Sequence, residues 1–204
     1  MFKEWRRLNS ASAQQRWVVV DVETTGMNIK SDELISIGAV ALSGGCVVPA
    51  DSFEMTVRQA RPSSRQNILV HGVGAQAQLA GSDPGAALCA FIEFVGAAPL
   101  VAFHAPFDRG FLMRAIKAHA HRRFDNEWLD LAELAPVLDA EARLKSLDEW
   151  LQRYQIQVST RHNAAADALA TALLAVRLLP LAKRQGATDF SSLQRLARDA
   201  RWLR

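Results

Sequence analysis

Asp21 and Glu23 stand one residue apart at the end of the apolar run Trp17-Val18-Val19-Val20, just before the turn signal Thr24-Thr25-Gly26. The run is continuous and β-branched, which predicts a buried strand. Side chains alternate across a strand at roughly 3.3 Å per residue, so the two acids point to one face about 6.6 Å apart. Burying two unpaired carboxylates is very costly, and a divalent cation is the simplest group that makes the arrangement stable. A strand end that emerges into water also accounts for the pair. A metal role therefore needs further acids at structured positions.

Asp167 is one. It is the only charged side chain between Ala164 and Val176, a stretch apolar on nearly every side that predicts a buried helix. With nothing nearby in sequence to neutralise it, such a carboxylate requires a partner or a metal. His162 lies five positions earlier, ahead of the helix and within reach of the same site; a cap or surface role fits a lone histidine as well. Asp108 follows the short buried strand Leu100-Val101-Ala102-Phe103, where open α/β sheets expose functional groups. At a helix start it also complements the dipole. These separate explanations do not account for two acids on one strand, a third at the next strand-to-helix junction, and a fourth in an apolar helix beside a histidine.

The elements that must position these groups are partly readable. Glu33 to Leu42 reads as a second strand, and Ser43-Gly44-Gly45 turns into a third around Cys46 to Arg58, giving an antiparallel meander. Pro49 marks the third strand as an edge or a bulge. Residues 59 to 82 read as a polar surface loop around His71-Gly72-Val73-Gly74. Asp83-Pro84 predicts an N-cap and first helical position, with Leu88, Phe91, Ile92 and Val95 as the inward face of a helix ending near Gly96. Strand, helix, strand implies a right-handed crossover and a parallel neighbour for strand one. A second helix follows, with Asp108 in its first turn. Trp128 to Leu138 reads as partly helical up to Pro136. Ser146-Leu147-Asp148-Glu149 is a capping box, and Pro180 bounds the helix that begins at Ala164. Ser191 to Arg204 has Leu193, Leu196, Ala197 and Ala200 at helical spacing, and Phe2, Trp5 and Leu8 predict a short amphipathic helix before strand one.

At 204 residues, half of them hydrophobic and 22% charged, the chain fits one globular domain with short appendages. No apolar run reaches transmembrane length and the N-terminus lacks a signal-peptide core, so a cytoplasmic protein without membrane contact is expected. Cys46 and Cys89 make neither a disulfide framework nor a zinc site. The net charge of +3 is uneven: residues 1–16 carry +3, residues 183–204 carry +4 and the middle carries −4. Basic ends around an acidic centre suit a polyanion held near a cation site; a solvated helix face is the simpler alternative. There is no phosphate-binding Gly-x-x-x-x-Gly-Lys loop, no His-Glu-x-x-His and no Gly-x-Ser-x-Gly.

Three segments together resemble the DEDDh family of 3′-to-5′ exonucleases: Asp21-Val22-Glu23-Thr24-Thr25-Gly26, Phe103-His104-Ala105-Pro106-Phe107-Asp108 and His162-Asn163-Ala164-Ala165-Ala166-Asp167-Ala168. The family includes the proofreading epsilon subunit of bacterial DNA polymerase III and ribonuclease T. The likeness extends through Leu34-Ile35-Ser36-Ile37-Gly38-Ala39-Val40 and His71-Gly72-Val73. A sister group carries tyrosine four residues before the last aspartate; Asn163 stands there, so the histidine type is the match. Two positions depart: Phe103-His104 replaces the usual His-Asn, and Ser36 replaces a frequent glutamate.

The resemblance implies a ribonuclease H-like α/β fold, with a mixed central sheet of antiparallel meander plus parallel strands flanked by helices. Residues 17–182 would form the exonuclease domain, between an N-terminal helical extension (1–16) and a basic C-terminal helix (183–204). It implies that Asp21, Glu23, Asp108 and Asp167 hold two Mg²⁺ or Mn²⁺ ions, oxygen-rich sites suiting these ions better than zinc. His162 would be the general base, releasing nucleoside 5′-monophosphates from the 3′ end of single-stranded DNA or RNA, with DNA favoured. Thr24, Thr25, Gly26 and Met27 would grip the terminal nucleotide and Phe107 would line the pocket, although a buried aromatic there also fits the core. The family's replicative member continues into a long polymerase-binding tail, so a proofreading subunit bound to a DNA polymerase is the second expectation. An RNA-trimming exoribonuclease and a non-catalytic nucleic-acid binding module are the others.

Overall fold

A computed structural model describes residues 16–142, 144–158 and 161–202. The expected N-terminal helix lies outside them. Strands β1 (Trp17–Thr24), β2 (Leu34–Ser43) and β3 (Cys46–Thr56) form the antiparallel meander. Short parallel strands β4 (Leu100–Ala102) and β5 (Trp128–Asp130) complete a five-stranded sheet of order β3-β2-β1-β4-β5. Pro49 lies on the edge strand, where the register jumps from Val40↔Ser52 to Ala41↔Val48, so the ladder is interrupted where proline has no N–H to give.

Helices cover both faces. Val18, Val20 and Val22 point into one core with α3 (Pro84–Val95) and α4 (Ala105–Ala115). Val19 points into the other, formed with α5 (Leu131–Leu138), α6 (Leu147–Arg153), α7 (Ala164–Arg184) and α8 (Phe190–Trp202). The period of two along β1 therefore places Asp21 and Glu23 on the Val19 side, facing α7. Two shorter helices, α1 (Arg65–His71) and α2 (Ala75–Ala80), precede α3.

Four sequence expectations need correction. Residues 59 to 82 are not a loop: they hold α1 and α2. Their anchors are polar, with Asn67, His71 and Gln78 turned inward while Leu69, Val70 and Leu79 are exposed, so no apolar stripe announces them. Trp128 to Asp130 is a strand, not the start of a helix, and Asp130 then caps α5 by accepting from the Ala132 N–H at 3.0 Å. Pro180 does not end α7. A proline inside a helix costs about 3 kcal/mol, but Leu178 and Ala182 are buried on either side of it, and that packing carries the helix on to Arg184. Finally, α7 is long and apolar enough to cross a membrane, with a hydropathy of 1.6, yet half of that window is buried within this fold, against the sheet. The capping box closes as expected, Ser146 Oγ accepting from the Glu149 N–H and Glu149 Oε2 from the Ser146 N–H.

Candidate active site

One backbone position lets the site form. Gly38 is the cross-strand partner of Asp21, and a Cβ built there would lie 2.1 Å from the Ala164 carbonyl carbon and 2.2 Å from the Ala165 nitrogen. Only a residue without a side chain lets the first turn of α7 rest directly on β2. Asn163 caps that turn by accepting from the Ala166 N–H at 3.1 Å, and the turn delivers Asp167 to the strand acids. Oxygen atoms of Asp21, Glu23 and Asp167 all lie within 4.8 Å of one another.

Asp108 reaches the same neighbourhood from the opposite core. β4 pairs with β1 only at Val18 and Val19, so beyond that point one edge of β1 lacks a strand. Asp108, 3% exposed in the first turn of α4, takes that place: its Oδ1 accepts from the Val22 N–H at 3.1 Å. The start of α4 is itself fixed by Asp130, whose Oδ1 accepts from the N–H of His104, a residue in the left-handed region at φ 67°.

Burial dominates the electrostatics, with the closeness of the acids adding to it at Asp21. Burial, then the charges of Asp108 and Glu23, holds the Asp21 carboxyl well above the usual carboxylate range. Burial pushes Glu23 up to about 7. Asp108 is raised chiefly by burial, against the opposing pull of its backbone hydrogen bonds. Each of these acids is short of positive charge, the condition a bound cation would relieve. The donor set fits a hard divalent ion: oxygens on opposite sides of Mg²⁺ stand about 4.2 Å apart, close to the spread already present.

The other sequence-derived residues are placed as follows. His162 is solvent-exposed with φ 58°, and its backbone N–H donates to Asp167 Oδ2 at 3.1 Å. The Thr24 and Thr25 hydroxyls are engaged within their own loop, Thr24 donating to the Gly26 carbonyl and Thr25 accepting from the Glu33 N–H. A Cβ on Gly26 would meet the Asp32 carboxylate at 2.5 Å, so this glycine lets the loop close. Met27 is 80% exposed beside that loop. Phe107 is half-buried against Phe111, with ring centroids 4.9 Å apart.

Sequence reasoning missed three participants. Asn67 of α1 donates to the Thr24 carbonyl at 2.9 Å and ties α1 to the end of β1. Asp130 sets the β4–α4 junction. The expectation that nothing nearby in sequence neutralises Asp167 is also wrong: Arg161 Nη1 pairs with Asp167 Oδ1. The left-handed turn at His162 folds Arg161 back over the helix start, a reversal that spacing alone does not show.

Residues 18–175 match the exonuclease family model, RNase_T, and the chain belongs to that family. It is 36% identical over 181 residues to a DNA polymerase III subunit epsilon-like protein of Rhodobacter capsulatus, covering 87% of this chain and 25% of that protein. It is 33% identical over 170 residues to a PolC-type DNA polymerase III of Latilactobacillus sakei, covering 79% of this chain and 11% of that one. It thus spans a quarter or less of these relatives. Among solved structures it resembles Escherichia coli exonuclease I in complex with a dT13 oligonucleotide, at 18% identity and TM-score 0.71, covering 85% of this chain and 43% of that one. It also resembles exonuclease X in complex with 5′ overhanging duplex DNA, at 22% identity and TM-score 0.67, covering 89% and 99%. These likenesses establish the ribonuclease H-like fold, and the family makes the protein a nuclease, a phosphodiester hydrolase.

Proposed function

We propose that the protein is a 3′-to-5′ exonuclease acting on single-stranded nucleic acid, DNA in preference to RNA, and releasing nucleoside 5′-monophosphates. The observation that carries the reading is the convergence of Asp21 and Glu23 from β1 with Asp167 from α7, oxygens within 4.8 Å, beside the buried Asp108. These four acids would hold two Mg²⁺ or Mn²⁺ ions, which supply Lewis acidity toward the scissile phosphate and lower the pKa of the attacking water. His162, exposed and with its backbone N–H on Asp167, takes the proton from that water as general base. The loop from Thr24 to Met27, tied down by Asn67, holds the terminal nucleotide through its backbone, with Met27 against the base and Phe107 at the pocket wall. Exonuclease I bound to a dT13 oligonucleotide and exonuclease X bound to 5′ overhanging duplex DNA, both similar in structure, support DNA as substrate.

Release of monophosphates from 3′-labelled single-stranded DNA and RNA of equal sequence, with Mg²⁺, Mn²⁺ or EDTA, tests this. One-at-a-time, metal-dependent release, faster on DNA, is the expected result. Absence of release from either substrate in both metals rejects it. The epsilon-like relative favours a second role for the same site, proofreading in association with a DNA polymerase; co-purification with a polymerase subunit tests that association.

A further inference from the structure

Arg161 occupies an unusual position among the acids. Its Nε donates to Asp148 Oδ1 at 2.6 Å, from the first turn of α6, while its Nη1 pairs with Asp167 Oδ1. The Arg161 side chain is 22% exposed and that of Asp167 10%. The remaining oxygen of Asp167 accepts from the His162 N–H. Each oxygen of a carboxylate that converges with Asp21 and Glu23 thus already has one partner, and one of these is a fixed positive charge from the chain itself. That charge also acts on Asp21 and Glu23, drawing both downward against the effect of burial.

A guanidinium seated on Asp167 Oδ1 repels a divalent cation drawn to the same oxygen and crowds its approach. We propose that Arg161 is a built-in counter-cation that competes with a divalent ion for Asp167, so that it sets the cation concentration at which the site loads. Asp148 provides its alternative seat: the fork of an arginine side chain reaches two carboxylates at once, and losing one leaves the Nε contact in place. Without metal, Arg161 offsets the crowding of the acids. With metal, the same charge opposes the incoming ion. The inference rests on reading the acids as a metal site, but not on which nucleic acid the enzyme cleaves.

The test compares the full chain with Arg161→Gln and Arg161→Lys, measuring Mn²⁺ affinity by calorimetric titration and the melting temperature in EDTA. Arg161→Gln is expected to bind Mn²⁺ roughly tenfold more tightly, the fold-change equivalent of one charge-assisted hydrogen bond, and to melt lower than the wild type in EDTA. Arg161→Lys keeps the charge without the fork and is expected to restore weaker, wild-type-like affinity. A purely structural arginine gives the opposite sign, because loosening the helix start disperses the donors and weakens binding. Unchanged or weaker Mn²⁺ affinity in Arg161→Gln, with hydrolysis intact in the wild type, overturns the inference and leaves the exonuclease reading standing. Tighter affinity without nucleotide release from any substrate supports the inference and removes the exonuclease reading. Absence of Mn²⁺ binding in all three proteins overturns both.

Discussion

Gly38→Ala should disable the site from beneath, without touching any of its side chains. The new methyl would sit 2.1 Å from the Ala164 carbonyl carbon, whereas ordinary contact between carbon atoms needs about 3.5–4.0 Å. The first turn of α7 must then withdraw by more than an ångström, or β2 must bow. Asp167 rides on that turn, and metal–oxygen bonds tolerate only a few tenths of an ångström around 2.0–2.1 Å for Mg²⁺. A misplacement of 1 Å costs on the order of 100-fold in rate, so kcat/KM should fall at least that far. Overpacking costs about 1–3 kcal/mol, and for a domain of this size about 2–4 °C in Tm per kcal/mol, so the protein should stay folded at 25 °C with an unaltered far-ultraviolet circular dichroism spectrum. Gly74→Ala, where an added Cβ meets nothing within 4 Å, is the control. If Gly38→Ala keeps Mn²⁺ affinity and hydrolysis within threefold of wild type, the docking of α7 on β2 does not position the site as argued.

Two further outcomes follow from the same geometry. His162→Gln should lower kcat by about 10²–10⁴-fold while leaving Mn²⁺ affinity nearly unchanged, whereas Asp21→Asn should abolish hydrolysis yet raise the melting temperature in EDTA, because it removes a crowded buried acid; a lower melting temperature would contradict the crowding. The pH dependence has a definite sign. Glu23 is held at about 7 in the folded chain, against 4.5 for the free side chain, so the folded state keeps a proton that the unfolded state gives up, and metal-free stability falls as pH rises from about 4.5 to 7. The difference in Tm between wild type and Glu23→Gln in EDTA isolates this contribution from His71, which burial shifts downward and which acts in the reverse sense; wild type should lose ground to the variant between pH 5 and 8, and excess Mg²⁺ should reverse the trend.

Local signals that agree with the fold made much of it readable. The valine run of β1, the Asp83-Pro84 start of α3 and the Ser146 capping box each satisfy a backbone or packing requirement within a few residues. The four acids were readable because a carboxylate in an apolar strand or helix is conspicuous. What escaped was held by relationships that no short window contains. α1 and α2 bury polar anchors and expose leucines, the reverse of an amphipathic stripe. β5 has three residues, too few for alternation, and Leu131, which follows it, already belongs to α5. Gly38 looks like any glycine in a strand until α7 is placed on it, and Arg161 reaches Asp167 only through a backbone reversal at His162.

The docking of α7 on β2 also bears on how the chain assembles. The β1–β2–β3 meander pairs segments joined by short turns, and its ladder can form from local contacts, whereas Ala164 must close a loop of more than a hundred residues to reach Gly38. Asp21 and Glu23 are thus free of Asp167, and of the burial that raises them most, until α7 docks on the sheet. Docking α7 and burying the strand acids are one event, so whatever neutralises the acids, a proton, Arg161 or a metal ion, acts on that step of folding as well as on the chemistry.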